Sequence, residues 1–366
     1  TVYILNHNYK EYLCKSVESV LGQTYDNLEI FLIDDGSLDG SADYIRKNWQ
    51  DSEKVNCFFL GGNGLLPAIR FAFDNAAGDY VMRVDADDWI ESNCVEELVF
   101  ALQGSECPAL VFPDYWEVDE NGNTLHLVKR HDFSREVTVL DRPAHGACTL
   151  IDRLVYKELG GHTLGIDCQD GVDLWLSVTQ NHEIKNVNKP LFYYRKHGKS
   201  LTTNFDMILR NRALIYEVQA SKRGFVPLNI LAIIPIRGVV NQGLNPMSEI
   251  NGSKIIDIAV EKALESHLVK KIMVVSEDED VVSYVTRRFS SESKAVHALH
   301  RPTVLASSGV PIDETIKYCL KKIDFNPDEL IVLFPNYPLL RGLYIDTAIY
   351  SNYLFETEAV ESVVED

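Results

Sequence analysis

The sequence predicts an α/β protein of two domains. Short apolar runs alternate with segments of helical spacing through the first hundred residues, and a second series of the same kind begins near residue 229. The length of 366 residues also suits two domains, at about 100–200 residues each. Strands separated by helices form parallel βαβ units, which bind ligands beyond the carboxyl ends of their strands. We therefore expect the functional site where the predicted strands end.

The first domain is predicted to span residues 1–222, with strands and helices in alternation. Strands are expected at Val2–Leu5, Glu29–Ile33, Val55–Leu60 and Tyr80–Val84, and helices at Glu11–Leu21, Ser41–Trp49 and Asn63–Ala77. Residues 108–130 predict a hairpin, because Asn121-Gly122 is a strong hairpin-turn signal. Further helices are predicted at Arg153–Leu159, Asp170–Thr179 and Phe205–Ala220.

A linker at residues 223–228 leads to a second predicted domain at residues 229–366. Its strands are expected at Asn229–Pro235, Lys271–Val275, Glu329–Phe334 and Glu361–Val364, and its helices at Ile255–Ser266 and Asp280–Phe289. The order of these elements again indicates βαβ units. Because the chain stops soon after the last predicted strand, we expect this domain to be truncated at its C-terminus.

Composition argues against several classes of function. The formal net charge of −19 is unfavourable for nucleic-acid binding, because a phosphate backbone needs a basic surface. No apolar run approaches the ~20 residues that a membrane span needs, and no basic, apolar leader precedes the first strand. The seven cysteines are scattered without a C-x-x-C pair, which predicts reduced thiols, a cytoplasmic location and no zinc site.

Two acidic clusters follow directly on predicted strands. Asp34-Asp35-Gly36-Ser37 follows the second strand, where a carboxylate can accept the imide N–H of a uracil; an ordinary Asp-Gly turn is the alternative. Asp85-Ala86-Asp87-Asp88 follows the fourth strand. Carboxylates this close repel one another, and Mn²⁺ or Mg²⁺ that bridges them to phosphate oxygens relieves the repulsion. An acidic helix N-terminus is the alternative here.

Two later segments are also candidates for chemistry. Asp170 opens a helical pattern, where a role as N-cap explains it on local grounds. Residues 193–200 mix tyrosines, cations and a histidine in a segment that we predict to be a loop. Such a loop can close over a diphosphate, with Arg195 or Lys199 neutralising charge and His197 as a metal ligand, or it is only a solvated basic loop.

Five ordered motifs across residues 1–203 resemble inverting family 2 glycosyltransferases with the GT-A fold. They are a strand and helix followed by Q-T-Y and the D-D-G-S turn, the D-x-D segment in VMRVDADDWI, the Gly-Gly turn in LGGHT, the E-D motif in QDGVDLWL, and the Y-R-x-H-x-x-S segment in YYRKHGKSLT. The resemblance implies a nucleotide-sugar-binding domain with a Rossmann-like mixed sheet.

The resemblance also implies a nucleotide pocket at the first acidic cluster. Asp34 would contact the nucleotide base, and Asp35 would line the same pocket with His7 or Asn8. This sequence has Leu5-Asn6-His7 where the family usually has Pro-Thr-Tyr. The contacts to the base at that strand end are therefore not carried over.

The remaining roles that the resemblance implies concern the metal and the reaction. Asp87 would be the main metal ligand, Asp85 would contact ribose or metal, and His197 would complete the metal shell. Asp170 would be the general base that deprotonates the acceptor hydroxyl. Gln169 stands where the family has glutamate, which leaves Asp170 as the only carboxylate of that pair, with Asp173 as a fallback base.

The implied activity is inverting transfer of a sugar, assisted by Mn²⁺ or Mg²⁺. The donor would be a nucleoside-diphosphate sugar, with UDP favoured, and the acceptor a saccharide or lipid-linked saccharide in polysaccharide or glycoconjugate synthesis. This places the protein in the cytoplasm or at the inner face of the membrane. Nucleotidyl transfer as the main activity, and a catalytically dead nucleotide-binding scaffold, are the alternatives.

Residues 229–366 resemble CMP-sialic acid synthetases, which are cytidylyltransferases. The resemblance rests on ILAIIPIRGVVNQGLNPMSEINGSK, IMVVSEDEDVVSYV, HRPTVLA and FPNYPLLR, in which Arg237, Ser276 and Arg341 match family positions. Gly238-Val239-Val240-Asn241 replaces the family's Gly-Gly-Ser-Lys phosphate loop, and Phe334 replaces its glutamine. We expect either a degenerate module that serves structure or homodimer formation, which we favour, or an active domain that uses CTP on a sialic-acid-like sugar.

Overall fold

The computed structural model describes residues 1–103, 108–131, 143–198, 204–238, 245–292, 295–335 and 341–361. Contacts divide the chain into two compact units, Thr1–Gln219 and Ala220–Asp366. Each unit has its own β-sheet and hydrophobic core. None of the described helices combines the length and the apolar character that crossing a lipid bilayer requires.

The first unit alternates strands and helices and then adds antiparallel strands. Its described strands are β1 (Val2–Asn6), β2 (Ile30–Asp35), β3 (Val55–Leu60), β4 (Tyr80–Asp85), β5 (Trp89–Ile90), β6 (Leu110–Val118), β7 (Thr124–Val128), β8 (Leu150–Asp152) and β9 (Ile184–Arg195). Its described helices are α1 (Lys10–Leu21), α2 (Ser41–Trp49), α3 (Leu65–Asn75), α4 (Cys94–Leu102), α5 (Arg153–Glu158), α6 (Asp170–Val178) and α7 (Phe205–Lys222).

The strands of the first unit form one mixed sheet in the order β3-β2-β1-β4-β8-β6-β9-β5, with β7 paired to β6. β3, β2, β1 and β4 are parallel, so their carboxyl ends lie at one edge. After β3 the chain crosses to the far side of β1 to form β4. Strand order therefore reverses between β1 and β4, and open α/β sheets bind ligands at such a reversal.

Apolar cores cover both faces of this sheet. Successive residues of a strand point to opposite faces, so β1 sends Ile4 into one core and Tyr3 into the other. The first core includes Val17 of α1, and the second includes Phe73 of α3 and Trp175 of α6. Because both faces are covered, every residue of β2 is buried, including the aspartates at its end.

Most predicted elements of the first unit are confirmed, with ends that differ by one or two residues. The predicted hairpin is confirmed as β6 and β7, joined at Asp119–Gly122. The loop predicted over residues 193–200 is wrong for Tyr193, Tyr194 and Arg195, which end β9. The sequence did not predict this strand, because its pairing partners β5 and β6 lie far away in sequence. The sequence analysis also missed β8 and α4.

The second unit is a smaller parallel α/β unit. Its described strands are β10 (Ile230–Ile236), β11 (Glu249–Ile250), β12 (Ser253–Lys254), β13 (Val269–Ser276), β14 (Ala295–His300) and β15 (Glu329–Val332). Its described helices are α8 (Ile255–Glu265), α9 (Glu279–Arg288), a 3₁₀ helix (Thr303–Ala306), α10 (Ile312–Lys322) and α11 (Gly342–Phe355). The parallel sheet has the order β14-β13-β10-β15. The strand predicted at Glu361–Val364 lies outside the described residues from position 362 onwards.

Phe112→Ala should destabilise the first unit by about 3–5 kcal/mol, because truncation of a buried phenylalanine leaves a cavity. The Phe112 side chain is 1% exposed, and its ring centroid lies 5.7 Å from that of Trp175 in the same core. The midpoint of urea unfolding measures this, followed by tryptophan fluorescence, since all four tryptophans lie in the first unit. Phe100→Ala is the control, because Phe100 is 72% exposed; equal midpoints for both variants would contradict this packing.

Candidate active site

A cavity of about 700 Å³ opens at the sheet edge where β1, β2 and β4 end. We call it the edge cavity. Its acidic lining residues are Asp35, Asp85, Asp87, Glu117, Asp167 and Asp170, and its basic ones are Arg83, Arg130, Lys196 and Arg212. The predicted residues Asp35, Asp85, Asp87 and Asp170 are thus brought together from three separate elements. Asp87 reaches the cavity through a turn after β4 rather than by continuation of the strand.

A buried arginine connects two of these carboxylates. Arg83 is 6% exposed and lies two residues before Asp85, on the same side of β4. Its Nε lies 2.9 Å from Oδ1 of Asp85, and its Nη1 lies 2.9 Å from Oδ2 of Asp170. The guanidinium therefore joins the end of β4 to the start of α6 and neutralises part of their charge.

The pKa values of Asp85 and Asp170 are shifted in opposite directions. Burial raises the pKa of Asp85 to about 7, and the nearby charges of Asp87 and Asp170 add to burial while Arg83 opposes it. Burial also acts to raise the pKa of Asp170, but Arg83, His162 and His145 together outweigh it and the pKa falls below its usual value. Asp170 is therefore ionised at neutral pH, as a general base must be.

The second pair that the sequence predicted is Asp87 and His197. Nε2 of His197 lies 2.9 Å from Oδ2 of Asp87, and the imidazole stacks on the Tyr12 ring at a centroid distance of 5.5 Å. Asp88, beside them, is 1% exposed, and its Oδ2 has no hydrogen-bond partner among the described residues. Burial raises the pKa of Asp88 well above its usual value, and Asp87 and Asp85 add to the effect.

This donor set fits a divalent cation. A carboxylate and an imidazole are suitable ligands for Mn²⁺. Across the described residues, no group of three or more His, Cys, Asp or Glu side chains converges on one point. The chain thus supplies Asp87 and His197 as a two-residue set. Phosphate oxygens and water ordinarily complete such a shell.

Arg195 fixes the turn that carries Asp87. The Arg195 side chain is buried, and its Nε donates to the Asp87 carbonyl at 2.8 Å while its Nη1 donates to the Glu120 carbonyl at 2.8 Å. The guanidinium also lies over the Trp89 and Tyr12 rings. These contacts account for its position structurally, and its predicted contact with a nucleotide-sugar stays a prediction. Lys199 lies outside the described residues.

The two aspartates after β2 have different surroundings. Asp34 accepts a hydrogen bond from Nδ2 of Asn6 at 2.6 Å and another from the Ser37 backbone N–H at 3.1 Å. Asp35 accepts from the backbone N–H groups of Asn63 and Gly64, at 3.1 and 2.8 Å, and lines the edge cavity. The cavity-facing member of the pair is therefore Asp35, whereas Asp34 braces the turn.

His7 and Asn8, which are neighbours in sequence, also have different surroundings. His7 lines the edge cavity, and its Nδ1 lies 2.7 Å from the carbonyl oxygen of Asp35. Asn8 has a left-handed backbone with φ 64°, its side chain accepts from the Leu38 N–H at 2.7 Å, and it faces a more open depression beside Lys10. Asn8 therefore does not line the edge cavity.

The fallback base, Asp173, is fully buried away from the edge cavity. Its carboxylate accepts hydrogen bonds from the backbone N–H and Oγ1 of Thr163, both at 2.6 Å, and from Nε2 of Gln219 at 2.7 Å. These contacts tie α6 and α7 to the segment after α5. Asp173 thus has a structural position, which leaves Asp170 as the carboxylate at the cavity.

Several cavity residues were not predicted. Arg83 had a signal, since it alternates with Asp85 on a strand whose residues are otherwise apolar. His145 had none: its ring packs against Tyr194 at a centroid distance of 4.6 Å only because the fold brings the two segments together. Burial lowers the pKa of His145 to about 3, helped by Arg130 and Arg83, so this imidazole is neutral at physiological pH.

Comparison with known proteins identifies a family and relatives for this chain. The sequence profile described as "Glycosyl transferase family 2" matches residues 1–160. The first unit is a family 2 glycosyltransferase. Its mixed sheet is of the GT-A type, and the chain is similar to the glycosyltransferase GlyG of Streptococcus pneumoniae, at 28% identity over 55% of this chain and 72% of GlyG.

One solved structure is similar in fold to this chain. TarS of S. aureus, crystallised as residues 1–349 with UDP-GlcNAc, superposes with a TM-score of 0.52 and 18% identity over 62% of this chain and 67% of that chain. A mannosyltransferase from Pyrobaculum calidifontis, in complex with GDP-mannose and Mn²⁺, gives a TM-score of 0.47 and 14% identity over 62% of this chain and 65% of that chain.

Arg83→Met should move the acidic limb of the pH profile of kcat/KM to higher pH by about 1 pH unit or more. Arg83 holds the pKa of Asp170 down, so its removal raises that pKa and protonates the base at a higher pH. The measurement is release of nucleoside diphosphate from pH 4 to 8, with Arg46→Met as an exposed control. An unshifted limb in Arg83→Met would show that Arg83 does not set the ionisation of Asp170.

Proposed function

We propose that the first unit transfers a sugar from a nucleoside-diphosphate sugar, UDP-linked by preference, to an acceptor hydroxyl with inversion at the anomeric carbon. The observation that carries this proposal is the convergence of Asp35, Asp87 and Asp170 on one cavity at the strand-order reversal. This arrangement offers a base-binding carboxylate, a metal-binding carboxylate and a proton acceptor within one enclosed space. The UDP-GlcNAc bound by TarS supports the choice of UDP.

In this proposal the donor lies along the ends of β1, β2 and β4. Asp35 and His7 line the part of the cavity that would hold the nucleotide base, and Asp34 and Asn8 shape the adjoining turn. Asp85 lies at the end of β4, where it would contact ribose or the metal. Arg195 would affect donor binding indirectly, because it holds the turn that carries Asp87.

Asp87 and His197 would hold Mn²⁺ or Mg²⁺ together with the donor's phosphates. Such an ion, when bound, supplies positive charge that stabilises the departing diphosphate. The role of the chain is to hold the side chains of Asp87 and His197 in fixed positions relative to each other. Stacking of His197 on Tyr12, and the bond from Arg195 to the Asp87 carbonyl, do this before any ligand arrives.

Asp170 would accept the proton of the acceptor hydroxyl. Its Oδ2 is engaged by Arg83, whereas no described residue bonds to Oδ1. The acceptor oxygen forms a bond to the anomeric carbon, the bond to the diphosphate breaks on the opposite face, and the proton passes to Asp170. A single displacement of this kind inverts the anomeric configuration.

The acceptor in this proposal is a saccharide or lipid-linked saccharide, in the assembly of a polysaccharide or glycoconjugate. Rings of Tyr115, Tyr194 and His145 line the cavity beyond Asp170, and flat aromatic and imidazole faces suit sugar rings. We place the reaction in the cytoplasm or at the inner face of the membrane, where nucleotide-sugars are available.

For the second unit we propose a degenerate cytidylyltransferase-like module with a structural or dimerising role. The backbone N–H of Gly238 donates to Oε1 of Glu277 at 2.6 Å, and the buried Arg301 also pairs with Glu277. An acidic side chain thus occupies a backbone donor that a triphosphate would need. The alternative is a bifunctional protein in which this unit activates a sialic-acid-like sugar with CTP.

UDP should bind the protein in a Mn²⁺-dependent manner, and Asp87→Asn should abolish the metal-dependent part of the affinity, because an amide is a poor ligand for a hard cation. Isothermal titration with UDP, GDP and CTP, each with and without Mn²⁺, measures this. Asp43→Asn, at a side chain that is 91% exposed, is the matched control. Tight CTP binding without UDP binding would instead favour the nucleotidyltransferase alternative.

Asp170→Asn should lower kcat by about 10²–10⁴-fold, since a positioned general base contributes that much, while the affinity for UDP stays the same. Transfer from UDP-sugars to saccharide acceptors, followed as UDP release, gives the rate. Asp74→Asn on the exposed side of α3 serves as the control. A loss of UDP affinity equal to the loss of kcat would remove Asp170 from the role of base.

A further inference from the structure

Arg212 on α7 is a cation at the cavity wall that no carboxylate of the described residues neutralises. The side chain is partly buried and lines the edge cavity. Its Nη2 donates to Oε1 of Gln169, and its buried Nε has no hydrogen-bond partner among the described residues. Within the described part of the chain, no Asp or Glu forms an ion pair with it.

Two other cations of the cavity, Arg83 and Lys196, differ from Arg212 in this respect. Arg83 is shared by two carboxylates, and Nζ of Lys196 lies 3.4 Å from Oε1 of Glu117. The chain carries 54 acidic residues against 35 lysines and arginines, so carboxylates are in ample supply. A partly buried guanidinium without a counter-ion carries a desolvation cost, which an anionic ligand would offset.

Residue 169 explains why the hydrogen-bond partner of Arg212 is not a counter-ion. The amide oxygen of Gln169 accepts a hydrogen bond but adds no negative charge. A glutamate at the same position would form an ion pair with the guanidinium. The glutamine thus leaves Arg212 able to bind an oxyanion through its planar fork of N–H groups.

The place of Arg212 indicates which substrate would carry that oxyanion. Gln169 directly precedes Asp170, the proposed proton acceptor, whereas Asp85 lies on the far side of Arg83 from Asp170. A group seated on Arg212 is therefore beside the residue that takes the acceptor's proton. The donor's diphosphate is assigned to the Asp87 and His197 pair.

We infer that Arg212 and Gln169 form a subsite for an oxyanion on the acceptor, a phosphate or a carboxylate carried by the sugar that is extended. This inference rests on the proposed function, since it takes Asp170 as the base. It narrows the acceptor from saccharides in general to anionic saccharides.

Sulfate serves as the binding probe, titrated calorimetrically into the full chain at constant ionic strength with UDP and Mn²⁺ at saturation. Arg212→Met and Gln169→Glu should each weaken sulfate binding by about tenfold, the first by removing the cation and the second by pairing with it. Arg210→Met should leave sulfate affinity unchanged, because Arg210 is 66% exposed on the same helix and pairs with Asp206.

Sulfate affinity that is the same in wild type and Arg212→Met would overturn the subsite. Displacement of sulfate by UDP would also overturn it, because Arg212 would then belong to the donor's diphosphate. Circular dichroism and UDP affinity identify any variant that has merely misfolded. A wild-type protein that binds sulfate through Arg212 but binds no UDP would sink the proposed function and leave the anion site standing.

Acceptor assays separate the two sources of the oxyanion. Glucose 6-phosphate, glucuronate and glucose are compared as acceptors at equal concentration. Wild type should use the preferred anionic sugar at least about tenfold faster than glucose, and Arg212→Met should erase that difference while Arg210→Met keeps it. Equal rates for all three sugars in wild type would contradict an anionic acceptor, and if none is used the sulfate titration decides.

Discussion

A single buried guanidinium balances the carboxylates on which this site depends. Arg83 contacts Asp85 at the end of β4 and Asp170 at the start of α6, both at 2.9 Å. Buried carboxylates without a counter-charge are costly, and removal of one partner from a buried pair typically costs about 3–5 kcal/mol. The contacts of Arg83 offset the charge of the two carboxylates and favour the ionised form of Asp170. They engage only Oδ2 of Asp170 and leave its Oδ1 without a bond to a described residue.

The half of the site that contains Asp87 and His197 depends on the completed sheet. Asp87 follows β4 and His197 follows β9, and pairing of β5 with β9 brings these two segments side by side. Arg195, the last residue of β9, then bonds to the turn of Asp87. Local structure alone cannot form this pair, so the contact between Asp87 and His197 arises only once the antiparallel strands have joined the parallel ones.

The sequence predicted the parallel half of the first unit and the residues at its strand ends. Periodicity sufficed there because β1, β2 and β4 are short apolar runs, each followed by polar or acidic residues. β9 was missed because its last residues, Tyr193 to Arg195, are polar or aromatic and are held by distant partners. His145 and Arg212 have no local signal at all, since only tertiary contacts place them at the cavity.

The alternation within β4 has a consequence for how this protein can change during evolution. Arg83 and Asp85 face the cavity, while Met82 and Val84 face an apolar core. One inserted or deleted residue inside β4 would exchange these two sets, because side chains alternate with a period of two. The strand can therefore accept altered side chains but no altered length, and variation in chain length is confined to turns such as Asp119–Gly122.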